Sequence, residues 1–334
     1  MTDPTAALVR GNPVGREAWT AWWDRLDAGA VDRAEAAALL AAASARLPDP
    51  DTARAFVASL RERTPDPGPL VPGAVNVVGT GGGPGTLNIS TAAAFVAAAI
   101  GVRVVKTGSR GHSSAVGSID LLDLLDLRPA RSAAELSDAL DRFGVAFAGQ
   151  FAYPPQLARL ARLIVPLGMR AVGGFVNTVG PFLAVVPVGA QLTGLSAPES
   201  RPVLAALAAA HPGRVWLCHN ETGVDELVGF ARNTVDEPGV TRFTVEPVSG
   251  GRLADLAPAP DRAGVVDRFT AVLSGRASRA AVDTVCLNAA AMAVLGGVEP
   301  DLGRALAAAQ DAVAAGAATA LLDRVRGSAA VAHV

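Results

Sequence analysis

The stretch Gly79-Thr80-Gly81-Gly82-Gly83-Pro84-Gly85, with Asn88-Ile89-Ser90-Thr91 close behind it, is the part of this sequence best suited to chemistry. Glycines let backbone N–H groups approach phosphate oxygens with no Cβ in the way, and a helix starting after such a loop adds a favourable dipole for an anion. Asn88, Ser90 and Thr91 carry side chains that can cap that helix or bond a phosphate. The loop matches neither the phosphate loop ending Gly-Lys-Ser/Thr nor the G-x-G-x-x-G dinucleotide pattern with its later acidic residue. Taken alone, it is equally a glycine-rich turn with an ordinary helix cap.

A second stretch, Lys106-Thr107-Gly108-Ser109-Arg110 followed by Gly111-His112-Ser113-Ser114, brings two cations and several hydroxyls. Of the 29 basic residues, Lys106 alone is lysine. A compact ammonium and a planar guanidinium are not interchangeable at phosphate oxygens, which gives this position a specific reason to be Lys. The plainer alternatives are a solvated lysine, an ordinary loop histidine at His112 and helix-capping hydroxyls at Ser113 and Ser114. A third stretch runs from Val215 to the adjacent carboxylates Asp225 and Glu226. Hard oxygen ligands suit Mg²⁺, which keeps several waters and bridges to substrate phosphates. On its own, an Asp-Glu pair opening a helix is a favourable partner for the helix dipole.

The elements that must position these stretches follow from periodicity. Residues from about Ala18 to Arg63 read as amphipathic helices, and the Pro/Gly-rich run Thr64–Gly73 reads as a linker. From Val75 onward, β-branched runs alternate with Ala/Leu-rich helical segments, the pattern of an α/β domain with a mainly parallel sheet. Strands are expected at Val75–Val78, Val102–Val105, Val215–His219 and Thr241–Val245. Helices are expected at Thr91–Ile100, Ser118–Leu125, Ala133–Phe143, Pro155–Leu163, Pro198–Ala210, Arg262–Ser274, Ala280–Leu295 and Leu302–Val325. The division expected is a small helical domain over residues 1–70, to which later segments can contribute, and a larger α/β domain over 71–334. In a parallel sheet the loops at the carboxyl ends of adjacent strands face one crevice, so the Gly79 and Lys106 stretches can hold one polyanion between them.

Composition narrows the classes. Half of the residues are apolar, but no apolar run reaches the roughly 20 residues that span a bilayer. The start of the chain has acidic and proline residues where a secretory signal would be basic, so a cytoplasmic protein is expected. A formal charge of −2 gives no general attraction for nucleic acid or anionic membranes. Cys218 and Cys286 have no metal or disulfide spacing and read as core thiols.

In combination and in this order, the three stretches resemble the anthranilate phosphoribosyltransferase family, whose pattern runs GTGGD…NIST, then KHGNR…SS…GSAD, then HGxDGLDE. Gly79–Gly82, Asn88–Thr91, Lys106, Gly108, Arg110, Ser113-Ser114, Gly117-Ser118, Asp120, His219, Gly223 and Asp225-Glu226 stand in the matching places. The similarity continues through Asn177–Pro181, Gln191-Leu192-Thr193-Gly194 and Leu287–Ala291. The resemblance implies that Gly79, Thr80, Gly81, Gly82, Asn88, Ser90, Thr91, Lys106, Ser113 and Ser114 bind phosphoribosyl pyrophosphate (PRPP). It also implies that Asp225, Glu226 and Ser90 hold Mg²⁺ on the diphosphate, in a homodimer with no covalent catalytic residue.

Departures from the pattern cluster on the acceptor side. Thr107 and Ser109 replace the family's His and Asn, Gly83 replaces the Asp closing GTGGD, and Ile164 stands where an arginine resembles the clamp for the acceptor carboxylate. An apolar side chain offers neither charge nor donors to a carboxylate. Arg162 or Arg170 is then the candidate clamp, in an acceptor pocket with Thr107, Gly108, Ser109 and Asn177, and the acceptor is anthranilate or another aromatic or heterocyclic compound. Two further readings stand beside this one. The segment Ser109–His112 is also similar to pyrimidine-nucleoside phosphorylases, and some proteins resembling the family bind nucleic acid without catalysis, which requires a basic surface.

Overall fold

A computed structural model describes residues 2–110 and 116–331, with side chains to residue 328. The expectations for His112, Ser113 and Ser114 concern residues outside those described. In chain order the elements are α1 (Pro4–Arg10), α2 (Arg16–Asp27), α3 (Arg33–Ala45), α4 (Pro50–Arg61), β1 (Val71–Gly79), α5 (Ile89–Ala99), β2 (Arg103–Lys106), α6 (Ser118–Leu124), α7 (Ala133–Phe143) and β3 (Val145–Phe147). There follow α8 (Pro155–Leu163), α9 (Gly168–Val172), α10 (Gly174–Val179), β4 (Val188–Gly194), α11 (Arg201–Ala209), β5 (Arg214–Asn220), β6 (Asn233–Glu237), β7 (Thr241–Val245), α12 (Arg262–Leu273), α13 (Arg279–Leu295), α14 (Leu302–Ala314) and α15 (Ala317–Val331).

The chain forms two compact units. The helical unit comprises Met1–Pro67, Gln150–Val185 and Pro198–His211, hence α1 to α4 and α8 to α11. Three of its helices, α1, α3 and α4, start on aspartate caps: Asp3, Asp32 and Asp49 each accept backbone N–H groups, and Pro4 and Pro50 occupy first-turn positions that need no donor. Trp19, Trp22 and Trp23 share one face of α2 and are fully buried. Phe56 meets Trp19 edge-on at 5.0 Å and Phe175 at 4.9 Å, tying α4 to α2 and α10. The Trp23 indole is satisfied by Ser59 Oγ at 3.0 Å and that of Trp22 by Glu35 at 2.9 Å.

The α/β unit comprises Gly68–Gly149, Val186–Ala197 and Pro212–Val334. Its seven-stranded sheet has the order β3-β2-β1-β4-β5-β6-β7. The first five strands are parallel, β6 runs antiparallel to them, and β7, antiparallel to β6, returns to their direction. Order reverses at β1, which pairs with β2 on one side and β4 on the other, so the crevice at the carboxyl ends of these strands is the natural ligand position. The central helices are Ala-rich and buried nearly all round, with Phe95 of α5 and Leu287 of α13 fully inaccessible.

Several boundaries differ from the sequence reading. β1 begins at Val71, inside the expected linker, and β2 ends on Lys106 itself. β3, β4 and β6 were not expected: β3 has only three residues, and Val188–Gly194 and Asn233–Glu237 mix polar residues and glycine into short runs. The expected helix Leu302–Val325 is two helices, broken at Gly316 (φ +73°) and bent by 64°. Among the described residues no single helix is long and apolar enough to cross a membrane. Val313, Leu321 and Leu322 of the bent pair are buried in the core of the α/β unit. Both cysteines are buried and free, as expected.

Candidate active site

The glycine loop leaves β1 at Gly79 and enters α5 at Ile89. Gly81 and Gly82 adopt positive φ (66° and 84°), which L side chains rarely take, so the loop's path depends on glycine there. A Cβ at Gly79 would lie 2.0 Å from Asp225 Oδ2. That approach lets the backbone N–H of Gly81 donate to Asp225 Oδ2 at 2.7 Å. Ser196, just beyond β4, ties the other side of the loop: its Oγ donates to Gly81 O at 2.5 Å, and its N–H donates to Thr80 Oγ1 at 3.3 Å.

Asn88 is the N-cap of α5, but its side chain makes no capping bond and instead donates to Val116 O at 3.3 Å. Ser90 lies close enough to Glu226 for its N–H and hydroxyl to oppose the rise in that carboxyl's pKa, so the carboxylate faces the first turn of the helix. Thr91 Oγ1 is buried with no partner among the described residues.

Lys106 ends β2 and is 5% exposed, which overturns the solvated reading. Its ammonium donates to Thr107 O at 2.6 Å. Burial lowers its pKa to about 8, against the pull of Glu226 and Asp225 in the other direction. Asp225 and Glu226 lie in the irregular loop between β5 and β6, not at a helix start, so they do not cap a helix of their own. Burial pushes both carboxyls upward. Glu226, with the Asp225 charge as second cause, stands well above the ordinary range, and its Oε2 is buried with no partner among the described residues. The cluster sets two carboxyls against one ammonium in a dry place, a setting that favours a cation.

Asparagines hold the carboxylate loop. Asn220 Nδ2 donates to Val224 O (2.9 Å) and Glu226 O (2.7 Å), while its Oδ1 accepts from Thr222 N–H. Asn288 on α13 accepts from Leu227 N–H (3.1 Å) and donates to Leu227 O (2.7 Å). Gly194 lets the loop lie against β4, since a Cβ there would be 1.6 Å from Asp225 O. Gly83 packs similarly, its would-be Cβ 2.2 Å from Gly223 O.

The α/β unit thus brings together Gly79, Thr80, Gly81, Gly82, Asn88, Ser90, Thr91, Lys106, Asp225 and Glu226. The proposed acceptor residues are divided. Thr107 is buried, with its hydroxyl donating to Asn76 Oδ1 at 2.9 Å. Gly108 leaves no room for a Cβ beside Ser118 Oγ, and Ser109 O accepts from Ile119 N–H at 3.3 Å. Arg110 is spent on Asp120 (3.0 Å) and Asp123 (2.7 Å). Arg162, Arg170 and Asn177 belong to the helical unit: the arginines are exposed on α8 and α9, and Asn177 is half-buried on α10. Ile164 is fully buried.

Sequence reasoning missed Asn76, Ser196, Asn220 and Arg268 as site residues. Arg268 of α12 lines a small cavity with Thr86, Asn88, Val116 and Phe269, and its buried Nε has no partner. Asn76 had a signal, a lone amide within an apolar strand; the others sit in segments with no distinguishing pattern.

Residues 71–319 match the model of the glycosyl transferase family a/b domain. The anthranilate phosphoribosyltransferase of Methylobacterium nodulans is 33% identical over 328 residues, 96% of each chain, and that of Cenarchaeum symbiosum is 34% identical over 75% of this chain and 74% of its own. The crystal structure of anthranilate phosphoribosyltransferase from Thermus thermophilus superposes with a TM-score of 0.84 at 29% identity, covering 98% of this chain and 99% of that one. The Saccharomyces cerevisiae enzyme in complex with PRPP and Mg shares the fold, with a TM-score of 0.80 at 19% identity over 95% and 92%.

Proposed function

This chain belongs to the anthranilate phosphoribosyltransferase family, and from that membership we propose that it moves the phosphoribosyl group of PRPP onto anthranilate or another aromatic or heterocyclic acceptor. The observation that carries this reading is the convergence at the carboxyl ends of β1, β2 and β5. An α5 N-terminus whose cap side chain is turned elsewhere, a buried lysine and an inward carboxylate pair meet there. In this reading the N–H groups of Gly79 to Gly82 and the side chains of Asn88, Ser90 and Thr91 bind the diphosphate and 5-phosphate of the donor. Lys106, Ser113 and Ser114 complete the grip.

Asp225 and Glu226, with Ser90 beside them, fit Mg²⁺. The unpartnered Glu226 Oε2 and the upward-shifted carboxyls favour a cation, and two carboxylates leave its remaining positions to water and ligand oxygens. Bound there, Mg²⁺ would neutralise charge on the departing diphosphate. The chain's own part is positioning: it holds the donor while the C1–O bond breaks and the acceptor attacks the opposite face of the ribose, losing its proton. Since Ile164 is buried and apolar, the acceptor carboxylate would fall to Arg162 or Arg170. Cytoplasmic location and a homodimer complete the proposal.

The test is Mg²⁺-dependent loss of anthranilate fluorescence, with pyrophosphate release measured in parallel, on mixing the chain with PRPP and anthranilate. Turnover in both channels supports anthranilate. PRPP binding without anthranilate loss moves the acceptor to a panel of other aromatic amines and heterocycles, and absence of PRPP binding overturns the reading.

A further inference from the structure

Beneath the site a chain of side-chain hydrogen bonds crosses three adjacent parallel strands. Thr107 donates to Asn76 Oδ1 from both its N–H (3.1 Å) and its hydroxyl (2.9 Å). Asn76 Nδ2 donates to Gln191 Oε1 at 2.9 Å, and Gln191 Nε2 donates to Thr193 Oγ1 at 3.0 Å. Asn76 and Gln191 are register partners on β1 and β4, and Val77, one residue on, pairs with Lys106 of β2. Asn76, Thr107, Gln191 and Thr193 are each at most 2% exposed.

Stability alone does not account for four such residues among strands whose other buried positions are mainly Val, Ala and Leu. Replacing all partners of a buried polar group by apolar groups of the same shape is close to neutral, whereas leaving one unsatisfied is costly. The network must be complete to be tolerated, and completeness fixes geometry. The Gln191 bond turns the Asn76 amide so that Oδ1 faces Thr107. Two donors on that one oxygen, the N–H and hydroxyl of Thr107, then hold residue 107 in place, and its own carbonyl, in the next peptide along, receives the Lys106 ammonium at 2.6 Å.

We propose that Asn76 is a positioning residue: through Thr107 it fixes the carbonyl that holds the Lys106 ammonium in place for the donor's phosphates, with Gln191 and Thr193 fixing Asn76 in turn. This rests on the reading that Lys106 grips PRPP. It also gives Thr107 a role on the donor side, away from the acceptor pocket.

The experiment measures PRPP affinity with Mg²⁺ by titration calorimetry, and thermal midpoint, for the full chain and two sets of variants. The triple replacement Asn76→Leu, Thr107→Val and Gln191→Met removes three of the four network side chains while keeping their volume. It strands the backbone N–H of residue 107, which loses Asn76 Oδ1, and is expected to melt about 5 °C below the parent. Its PRPP dissociation constant is expected to rise about tenfold, the scale of one lost oriented contact to a charged group. Thr107→Val alone is expected to weaken PRPP about threefold, with Thr107→Ser restoring it, a rescue that packing would not produce. A folded triple variant with parental affinity overturns the proposal. If the triple variant does not fold, equal affinity in the Val and Ser variants overturns it, and a difference between them supports it. Failure of the parent chain to bind PRPP overturns the functional reading itself, and this inference with it.

Discussion

Asp225 Oδ2 accepts the backbone N–H of Gly81 at 2.7 Å, so the carboxylate loop and the glycine loop are held as one body. The contact exists only because Gly79 has no side chain. Gly79→Ala would set a Cβ 2.0 Å from that oxygen and separate the loops. Overpacking of this kind costs about 1–3 kcal/mol. We expect a lowered thermal midpoint and PRPP affinity reduced by about tenfold. Parental affinity in calorimetry would show that the two loops act independently.

Glu226→Gln should separate stability from function. The raised folded-state pKa of Glu226 means that its favourable contribution is present below the unfolded carboxylate pKa and is lost as pH rises through the folded value. Above the unfolded carboxylate pKa the folded chain therefore bears a cost at this carboxyl. The glutamine cannot ionise and removes that cost, leaving Asp225 paired with Lys106. The variant should melt higher than the parent at pH 7.5, with the gain shrinking toward pH 4, while Mg²⁺-dependent PRPP binding falls by an order of magnitude. A lower melting temperature at pH 7.5 would contradict the electrostatic account.

Lys106 supplies a second pH window. Its folded pKa of about 8 lies below the unfolded value, so between about pH 8 and 10.5 the unfolded chain binds more protons than the folded one. Its contribution to stability is therefore gained as pH rises through this window. Relative to Lys106→Met, the parent should become more stable from pH 8 to 10 in urea titrations. Parallel curves would mean that the ammonium is better solvated than its 5% exposure implies.

Asn220→Asp would replace the amide that donates to Val224 O and Glu226 O with a group that can only accept. Each stranded carbonyl costs about 1–3 kcal/mol. Donor affinity and melting temperature should fall together, whereas Asn220→Ser should recover part of the stability. An unchanged PRPP dissociation constant in the Asp variant would remove Asn220 from the positioning set.

The acceptor side is tested by Arg162→Ala and Arg170→Ala. Both arginines are exposed, so the folded state should be little affected. The one serving as carboxylate clamp should raise acceptor KM about tenfold or more, with PRPP affinity unmoved. If neither variant alters acceptor KM, the clamp lies elsewhere or the acceptor has no carboxylate.

By itself the sequence determined the α/β class and the helical start of the chain, and it marked the residues proposed to hold the donor. Those features are local: Gly81 and Gly82 serve a backbone path written in consecutive residues, and Lys106 announced itself by its chemistry. The break at Gly316 and the strands β3, β4 and β6 were harder to read, because short runs with polar residues have no periodicity of their own and become strands only when neighbours supply hydrogen bonds. Tertiary structure alone decided that Lys106 is buried, that Asp225 and Glu226 lie in a loop against the glycines, and that Thr107 turns inward onto Asn76. Asn76 and Thr107 are 31 residues apart, and Gly81 and Asp225 are 144 apart. Contacts over such separations are set by strand order and register, which no stretch of sequence carries alone.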